Sequence, residues 1–145
     1  MPDSDRLCHG DFHPWNIMGP PGATTVIDWP DCTTGPPAAD VCRTFVLLVA
    51  PVPELAHDYV VRYAEASGIS RDEILAWLPY VAAARLVENV PNEEEGLLRM
   101  AGADSASTKD PSWFLVEPEE PSRKWRMTAL GAISVVYSAI RRRLV

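Results

Sequence analysis

Asp11, Asn16 and Asp28 are the residues of this chain best suited to chemistry. They stand in the run His9-Gly10-Asp11-Phe12-His13-Pro14-Trp15-Asn16 and, shortly after it, Ile27-Asp28-Trp29. An Asp, an Asn five residues on and a second Asp beyond match the base and two metal ligands of phosphoryl transfer, in the same order. That reaction needs an acceptor oxygen held in line and cations to neutralise developing charge. Asp11 can accept the proton of an acceptor hydroxyl or hold that hydroxyl in place. Asn16 and Asp28 offer the hard oxygen ligands that Mg²⁺ prefers. Each triplet by itself is an ordinary turn or strand end. The signal lies in their order.

Other residues admit other chemistry. His9, Asp11 and His13 alternate, so on a strand they would share one side and could ligate a transition metal, as in a metal-dependent hydrolase or oxygenase. That reading leaves Asn16, Asp28 and Asp40 without a role, and Gly10 and Pro14 favour a loop over a strand. Both histidines are better read as hydrogen-bonded scaffold for the loop. Cys8 and Cys32 flank the site, but a thiol nucleophile needs an activating partner. His9 adjoins Cys8, yet strand neighbours point to opposite faces. Both cysteines are therefore expected to be buried and structural. Glu88, Glu93, Glu94 and Glu95 could line a pocket for a cationic acceptor. A solvated helix start is the favoured reading, because acids suit helix N-termini.

The elements that must position these residues follow from local signals. Residues 6–8 read as a short strand leading into the 9–16 loop. Residues 16–18 and 24–27 read as two short strands joined by the tight turn Gly19-Pro20-Pro21-Gly22. A hairpin brings its two ends together, which lets Asn16 and Asp28 face one cation. After Gly35-Pro36-Pro37 the spacing predicts a helix over 41–49, with Asp40 near its start and Pro51 and Pro53 ending it. A second helix is expected over about 54–67, stopped by Gly68. Ser70 with Glu73 forms a capping-box pattern. The helix it opens places Ile74, Trp77, Leu78, Val81, Ala82 and Leu86 toward the core and extends to about residue 88, kinked or split by Pro79. A short helix is expected after Pro91. Residues 101–122 read as a loop pinned by Trp113, Phe114, Leu115 and Val116. Residues 123–145 read as a basic amphipathic helix with Trp125, Ala129, Ile133, Val136 and Ile140 on one face.

Bulk properties set the frame. A chain of 145 residues that is 47% hydrophobic and 23% charged suits one domain with a core of its own. The net charge of −7 argues against a nucleic-acid partner. The charge is uneven: residues 123–145 hold Arg123, Lys124, Arg126 and Arg141, Arg142, Arg143 with no acid, so the body is acidic and the tail basic. Three cysteines without a C-x-x-C pair, and a polar acidic N-terminus, point to reduced thiols and a cytoplasmic location. The apolar run 127–140 falls short of the roughly 20 residues that span a bilayer. A core helix is favoured there over a membrane-surface one.

The motifs resemble those of the aminoglycoside phosphotransferase/choline kinase family, whose catalytic loop reads His-Gly-Asp-x-x-x-x-Asn. Val26-Ile27-Asp28-Trp29 resembles the family's next segment. Gly35-Pro36-Pro37-Ala38-Ala39-Asp40 resembles its later Gly-x-Pro-x-x-Asp. The likeness is specific over residues 7–48 and looser to about 100. It implies a protein-kinase-like fold, ATP as co-substrate and Mg²⁺. It further implies that Asp11 is the catalytic Asp, that Asn16 and Asp28 are metal and nucleotide ligands, and that Asp40 braces the loop. The acceptor would be a small-molecule hydroxyl, as in aminoglycosides, choline or sugars.

One departure shapes the rest of the expectation. The chain holds no G-x-G, and its only lysines are Lys109 and Lys124, neither in a strand like the one that carries the nucleotide-lobe lysine. The expected architecture is a single partial domain over 1–145, α+β and mainly helical. It comprises a catalytic-lobe core over 1–100, the loop 101–122 and the helix 123–145. It corresponds to the C-terminal lobe of a kinase-like fold with a small β-hairpin at the catalytic loop, and the N-terminal nucleotide lobe is absent. The expected function is ATP- and Mg²⁺-dependent phosphotransfer by a truncated or split enzyme. A separate N-terminal-lobe chain or self-association would cover the exposed face. The competing reading is a catalytically silent remnant or binding module of the same fold.

Overall fold

A computed structural model of the chain describes residues 6–20 and 22–102. Two small antiparallel sheets lie at the start of the chain. Strand β1 (Arg6–Cys8) pairs with β4 (Thr33–Gly35) in the register Arg6↔Gly35, Leu7↔Thr34, Cys8↔Thr33. Between them, β2 (Ile17–Met18) pairs with β3 (Thr25–Val26), with Ile17 opposite Val26 and Met18 opposite Thr25. The hairpin read from the sequence is present, with shorter strands. Strand β4 is a correction, because residues 35–37 read only as a turn. The β-branched pair Thr33-Thr34 suits a strand, but its partner lies far back in the chain.

Among the described residues five helices follow: α1 (Pro37–Val49), α2 (Pro53–Ser67), α3 (Arg71–Leu75), α4 (Leu78–Leu86) and α5 (Glu94–Met100). Helix α1 begins four residues before the expected start. Proline is at ease in the first turn, where its missing N–H has no helical partner to lose. Asp40 consequently lies inside the first turn of α1. Gly68 closes α2 at φ 76°, its amide donating to the Ala64 carbonyl at 3.0 Å. Ser70 Oγ caps α3 by accepting the Glu73 amide at 3.1 Å. The expected long helix is split. Pro79 has no N–H to offer the Leu75 carbonyl, so α3 stops at Leu75 and α4 restarts at Leu78.

Helix α1 is central. It packs against α2, α3 and α4 and touches β1. Val41, Cys42, Phe45 and Leu48 recur at helical spacing and are almost wholly buried. Ile74 of α3, Leu78 and Ala82 of α4, Leu97 of α5 and Leu55, Ala56, Tyr59 and Val60 of α2 close the same core. Burying a side chain such as Phe45 or Leu48 stabilises by roughly 1.5–3 kcal/mol. Val81 and Leu86 pack at the edge of this core, as partly buried residues. Trp77 is a correction: it stands outside the core and is exposed. The break at Ala76 and Trp77 resets the helical phase that had placed it inward.

The result is a mainly helical α+β fold whose β-structure lies at one end of α1. Residues 1–5, Pro21 of the hairpin turn, the remainder of the expected 101–122 loop beyond Gly102 with its pinning residues 113–116, and the expected helix 123–145 lie outside the described residues. Among the described residues, no helix is long and apolar enough to cross a membrane.

Candidate active site

Strand β1 delivers His9 into the interior, where it is only 2% exposed. The Cys8 thiol reaches the Gly35 carbonyl at 3.5 Å and ties β1 to β4. Burial, and then the negative charge of Asp40, push this thiol above the usual cysteine range. His9 is committed at both ring nitrogens. Its Nε2 lies 2.9 Å from the Ile27 carbonyl, and its Nδ1 accepts the Asp11 amide at 3.2 Å. The accepting Nδ1 must carry a lone pair, which assigns the proton to Nε2. The ring packs against Trp29 at 4.5 Å and edge-on to Phe12 at 6.0 Å. With both nitrogens engaged, His9 has none to give a transition metal. Among the described residues no group of three His, Cys, Asp or Glu side chains is gathered around a metal-sized space.

Gly10 has φ 81° and a Cβ placed on it would stand 2.4 Å from the Asp31 carbonyl oxygen. Both the backbone angle and the close approach require glycine here. The Gly10 amide donates to Asp40 Oδ1 at 2.8 Å and the His9 amide donates to Asp40 Oδ2 at 3.0 Å. One carboxylate in the first turn of α1 thus holds two successive amides of the loop.

Asp11 and Asn16 meet directly. Asn16 Nδ2 donates to the Asp11 carbonyl at 2.9 Å and to Asp11 Oδ2 at 3.1 Å. Both partners are acceptors, so the orientation of the Asn16 amide is fixed by its bonds. Its Oδ1 is left facing away, with no partner among the described residues. His13 Nε2 lies 3.3 Å from the same Asp11 Oδ2. The His13 Nδ1 is buried without a hydrogen-bond partner among the described residues. Asp11 Oδ1 likewise has no partner among the described residues. Asn16 itself is buried in a single 3₁₀ turn (Pro14–Asn16), and its carbonyl accepts the Ile27 amide at 2.9 Å, one step beyond the β2–β3 ladder.

That last bond places Asp28 next to the residue paired with Asn16. Asp28 has φ 63°, a left-handed conformation that only Asn and Asp tolerate with any frequency among residues with side chains. Trp29 secures the turn by donating Nε1–H to the Val26 carbonyl at 2.9 Å. The Asp28 side chain is exposed, and no described residue bonds to it. The structure therefore brings His9, Asp11, His13, Asn16 and Asp40 into one hydrogen-bonded unit and sets Asp28 at its rim.

Several residues escaped the sequence reading. Arg43 donates Nε–H to the Gly10 carbonyl and pairs with Glu88, its Nη2 lying 2.9 Å from Oε1. Its spacing of three from Asp40 on one helix was the available signal. Glu88 also bonds Arg85, and Arg85 forks onto Glu93 at 2.9 and 3.2 Å. The Glu93 hydrogen bond is the main reason that the Arg85 guanidinium is held above its ordinary range. Glu95 pairs with Arg99 at 2.8 Å. Glu93, Glu94 and Glu95 stand at the start of α5, with Glu94 and Glu95 exposed, as the helix-start reading expects; Glu88, Glu93 and Glu95 in addition pair with arginines. Of the two cysteines expected to be buried, Cys8 is buried and Cys32 is exposed; Cys42 is buried as well.

The family model described as the phosphotransferase enzyme family matches residues 1–77, which takes in the whole site and more than half of the chain. The chain belongs to the phosphotransferase enzyme family. No curated protein and no solved structure matches it.

Proposed function

We propose that this chain supplies the base and metal-binding side of a Mg²⁺- and ATP-dependent phosphotransferase acting on a small-molecule hydroxyl. The observation that carries the reading is the double bond of Asn16 Nδ2 to the Asp11 carbonyl and Oδ2. It leaves Asp11 Oδ1 and Asn16 Oδ1 without partners among the described residues, and the Ile27 amide on the Asn16 carbonyl fixes the backbone one residue ahead of Asp28. These oxygens and the Asp28 carboxylate are hard donors of the kind Mg²⁺ takes, so the residues fit the ion. Asn16 and Asp28 would hold it. Bound there, the ion would neutralise charge on the phosphate oxygens as it develops.

The step assigned to this chain is a proton transfer. Asp11 Oδ1 takes the hydroxyl proton as the acceptor oxygen bonds to the γ-phosphorus and the bond from that phosphorus to the ADP oxygen breaks. Asn16 and His13 hold the other carboxylate oxygen, which fixes the direction in which Oδ1 faces. His9 and Asp40 act on the backbone and set the loop that carries Asp11. The sequence contains neither a G-x-G loop nor a strand lysine, so the reading includes a nucleotide-covering element supplied by a further segment or a separate chain. Leu7, Trp15 and Met18 are each more than half exposed on the elements that carry the site. An apolar cover over that face would bury them.

The test has two arms. Mn²⁺ binding to the full chain, followed by electron paramagnetic resonance, should be lost in Asp28→Ala and Asn16→Ala. Transfer of labelled γ-phosphate from ATP to a panel of aminoglycosides, choline and sugars should be lost in Asp11→Asn. Asp28-dependent Mn²⁺ binding without any transfer would favour the binding-module reading of the same fold. Full transfer by Asp11→Asn would exclude the base assignment.

A further inference from the structure

Helix α1 grips the residue before Asp11 with two side chains one turn apart. Asp40 accepts the Gly10 amide at 2.8 Å, and Arg43 donates to the Gly10 carbonyl. Both polar backbone groups of Gly10 are therefore held by one face of α1. This matters because the bonds of the Asp11 side chain are all local among the described residues. They run to His13 and Asn16, within five residues, and would move with the loop. The loop is tied to the body by the His9 ring on Ile27, by the two amides on Asp40, by the Gly10 carbonyl on Arg43 and, at its far end, by the Asn16 carbonyl on the Ile27 amide. Of these, the Arg43 bond lies nearest to Asp11. Gly10 has no side chain of its own to resist rotation.

Arg43 is itself held. Its Nη2 lies 2.9 Å from Glu88 Oε1, and its side chain is only 21% exposed. The second Glu88 oxygen bonds Arg85, whose fork on Glu93 anchors the run just ahead of α5. A single exposed ion pair contributes little. A partly buried chain of charge-assisted bonds is better placed to fix one geometry. Charges thus run in series from the Gly10 carbonyl to the α4–α5 junction.

We propose that Arg43 is the positioning residue that aims Asp11, and that Glu88 holds Arg43 in place. The catalytic consequence rests on the phosphotransfer reading, whereas the hold on the loop does not. Lysine keeps the charge but offers its donors from a single nitrogen, so it does not reproduce the spread of the guanidinium fork across the carbonyl and Glu88. A methionine satisfies neither.

The experiment compares Arg43→Met, Arg43→Lys and Glu88→Gln in the full chain, with Arg99→Met as a surface ion-pair control. Amide hydrogen exchange at Gly10 and Asp11 is read by NMR. Turnover of Mg-ATP with the acceptor panel is read in the same preparations. Arg43→Met should speed exchange of these two amides by about tenfold while the α1 core amides stay protected. It should lower kcat by about 10- to 100-fold and leave KM for Mg-ATP within about twofold. Glu88→Gln should move both readouts the same way by less, Arg43→Lys should recover part of each, and Arg99→Met should change neither. Unchanged exchange in both Arg43→Met and Glu88→Gln would overturn the proposal, as would an equal rise across all amides. So would an unchanged kcat in an active background. A wild-type chain with no turnover counts against the proposed function, and the exchange readout then decides the role of Arg43 alone.

Discussion

Asp40 reaches back thirty residues to accept the Gly10 amide at 2.8 Å, and its other oxygen accepts the His9 amide at 3.0 Å. Neither amide has another partner among the described residues, and His9 is buried. Asp40→Asn keeps the shape but turns an NH₂ group toward one of the two donors. Hydrogen bonds to a charged group contribute about 1.5–3 kcal/mol, and a stranded buried donor costs a similar amount. Asp40→Asn should therefore lose about 2 kcal/mol and Asp40→Ala about 3 kcal/mol of stability, measured as a lower urea midpoint at unchanged slope. A loss below about 0.5 kcal/mol for Asp40→Ala would show that water replaces the carboxylate at little cost.

Two glycines with similar backbone angles should respond differently. A methyl group added at Gly10, with φ 81°, would stand 2.4 Å from the Asp31 carbonyl oxygen, whereas one added at Gly68, with φ 76°, would meet nothing within 4 Å. Gly68→Ala meets only the backbone penalty, about 1 kcal/mol. Gly10→Ala adds a clash with main chain that cannot rotate away, so it should lose about 3 kcal/mol or more. Thermal unfolding of the pair checks the ranking, and equal losses would mean that the 9–16 loop and Asp31 separate freely.

What the sequence revealed, and what it hid, divides by the distance over which each signal acts. Gly68, Ser70 and Pro79 act on backbone groups within four residues, and the helix ends they predict are where the structure places them. The order of Asp11, Asn16 and Asp28 was legible for a related reason. A short loop connects Asp11 to Asn16, which bond, and a hairpin connects Asn16 to Ile27, the residue before Asp28. Strand β4 was hidden because it exists only by pairing with β1, with Cys8 opposite Thr33. Arg43 was hidden because its partner, the Gly10 carbonyl, lies 33 residues away. Trp77 was misplaced because helical phase was carried through a break that Pro79 imposes. A pattern of period 3.6 holds only while the hydrogen-bond ladder is continuous.

Asp28 offers a separation of stability from function. At φ 63° it occupies a region that costs a non-glycine residue of order 1 kcal/mol, less for Asp than for most. Its side chain makes no bond to a described residue that would offset this. Asp28→Gly removes the strain but frees the unfolded chain by roughly 0.4–1 kcal/mol. The two effects should nearly cancel, leaving the melting temperature unchanged or slightly higher. Asp28→Val places a β-branched side chain at the same angle and should lose about 2 kcal/mol. Both variants should abolish the Mn²⁺ binding proposed for this site. A clear loss of stability in Asp28→Gly would mean that the carboxylate is held in the fold by something other than the turn.

The cysteines set the alkaline behaviour. Cys42 is wholly buried in the core, and burial pushes its thiol from 9.0 up to about 12. Below pH 9 the thiol is neutral in both the folded and the unfolded chain, so the full stability is present. Between pH 9 and 12 the unfolded chain ionises while the folded one does not. Folding should then lose about 1.4 kcal/mol per pH unit from this group across that window. Cys8, raised in the same direction, adds to the loss. Cys42→Ala leaves a small cavity but removes the ionising group, so its stability should fall less steeply with pH than that of the wild type. Urea midpoints at intervals from pH 8 to 11 give the two slopes, and identical slopes would mean that Cys42 ionises equally easily in both states. A thiol reagent at neutral pH supplies an independent check on burial: exposed Cys32 should react in the folded chain, with Cys8 and Cys42 following only on unfolding.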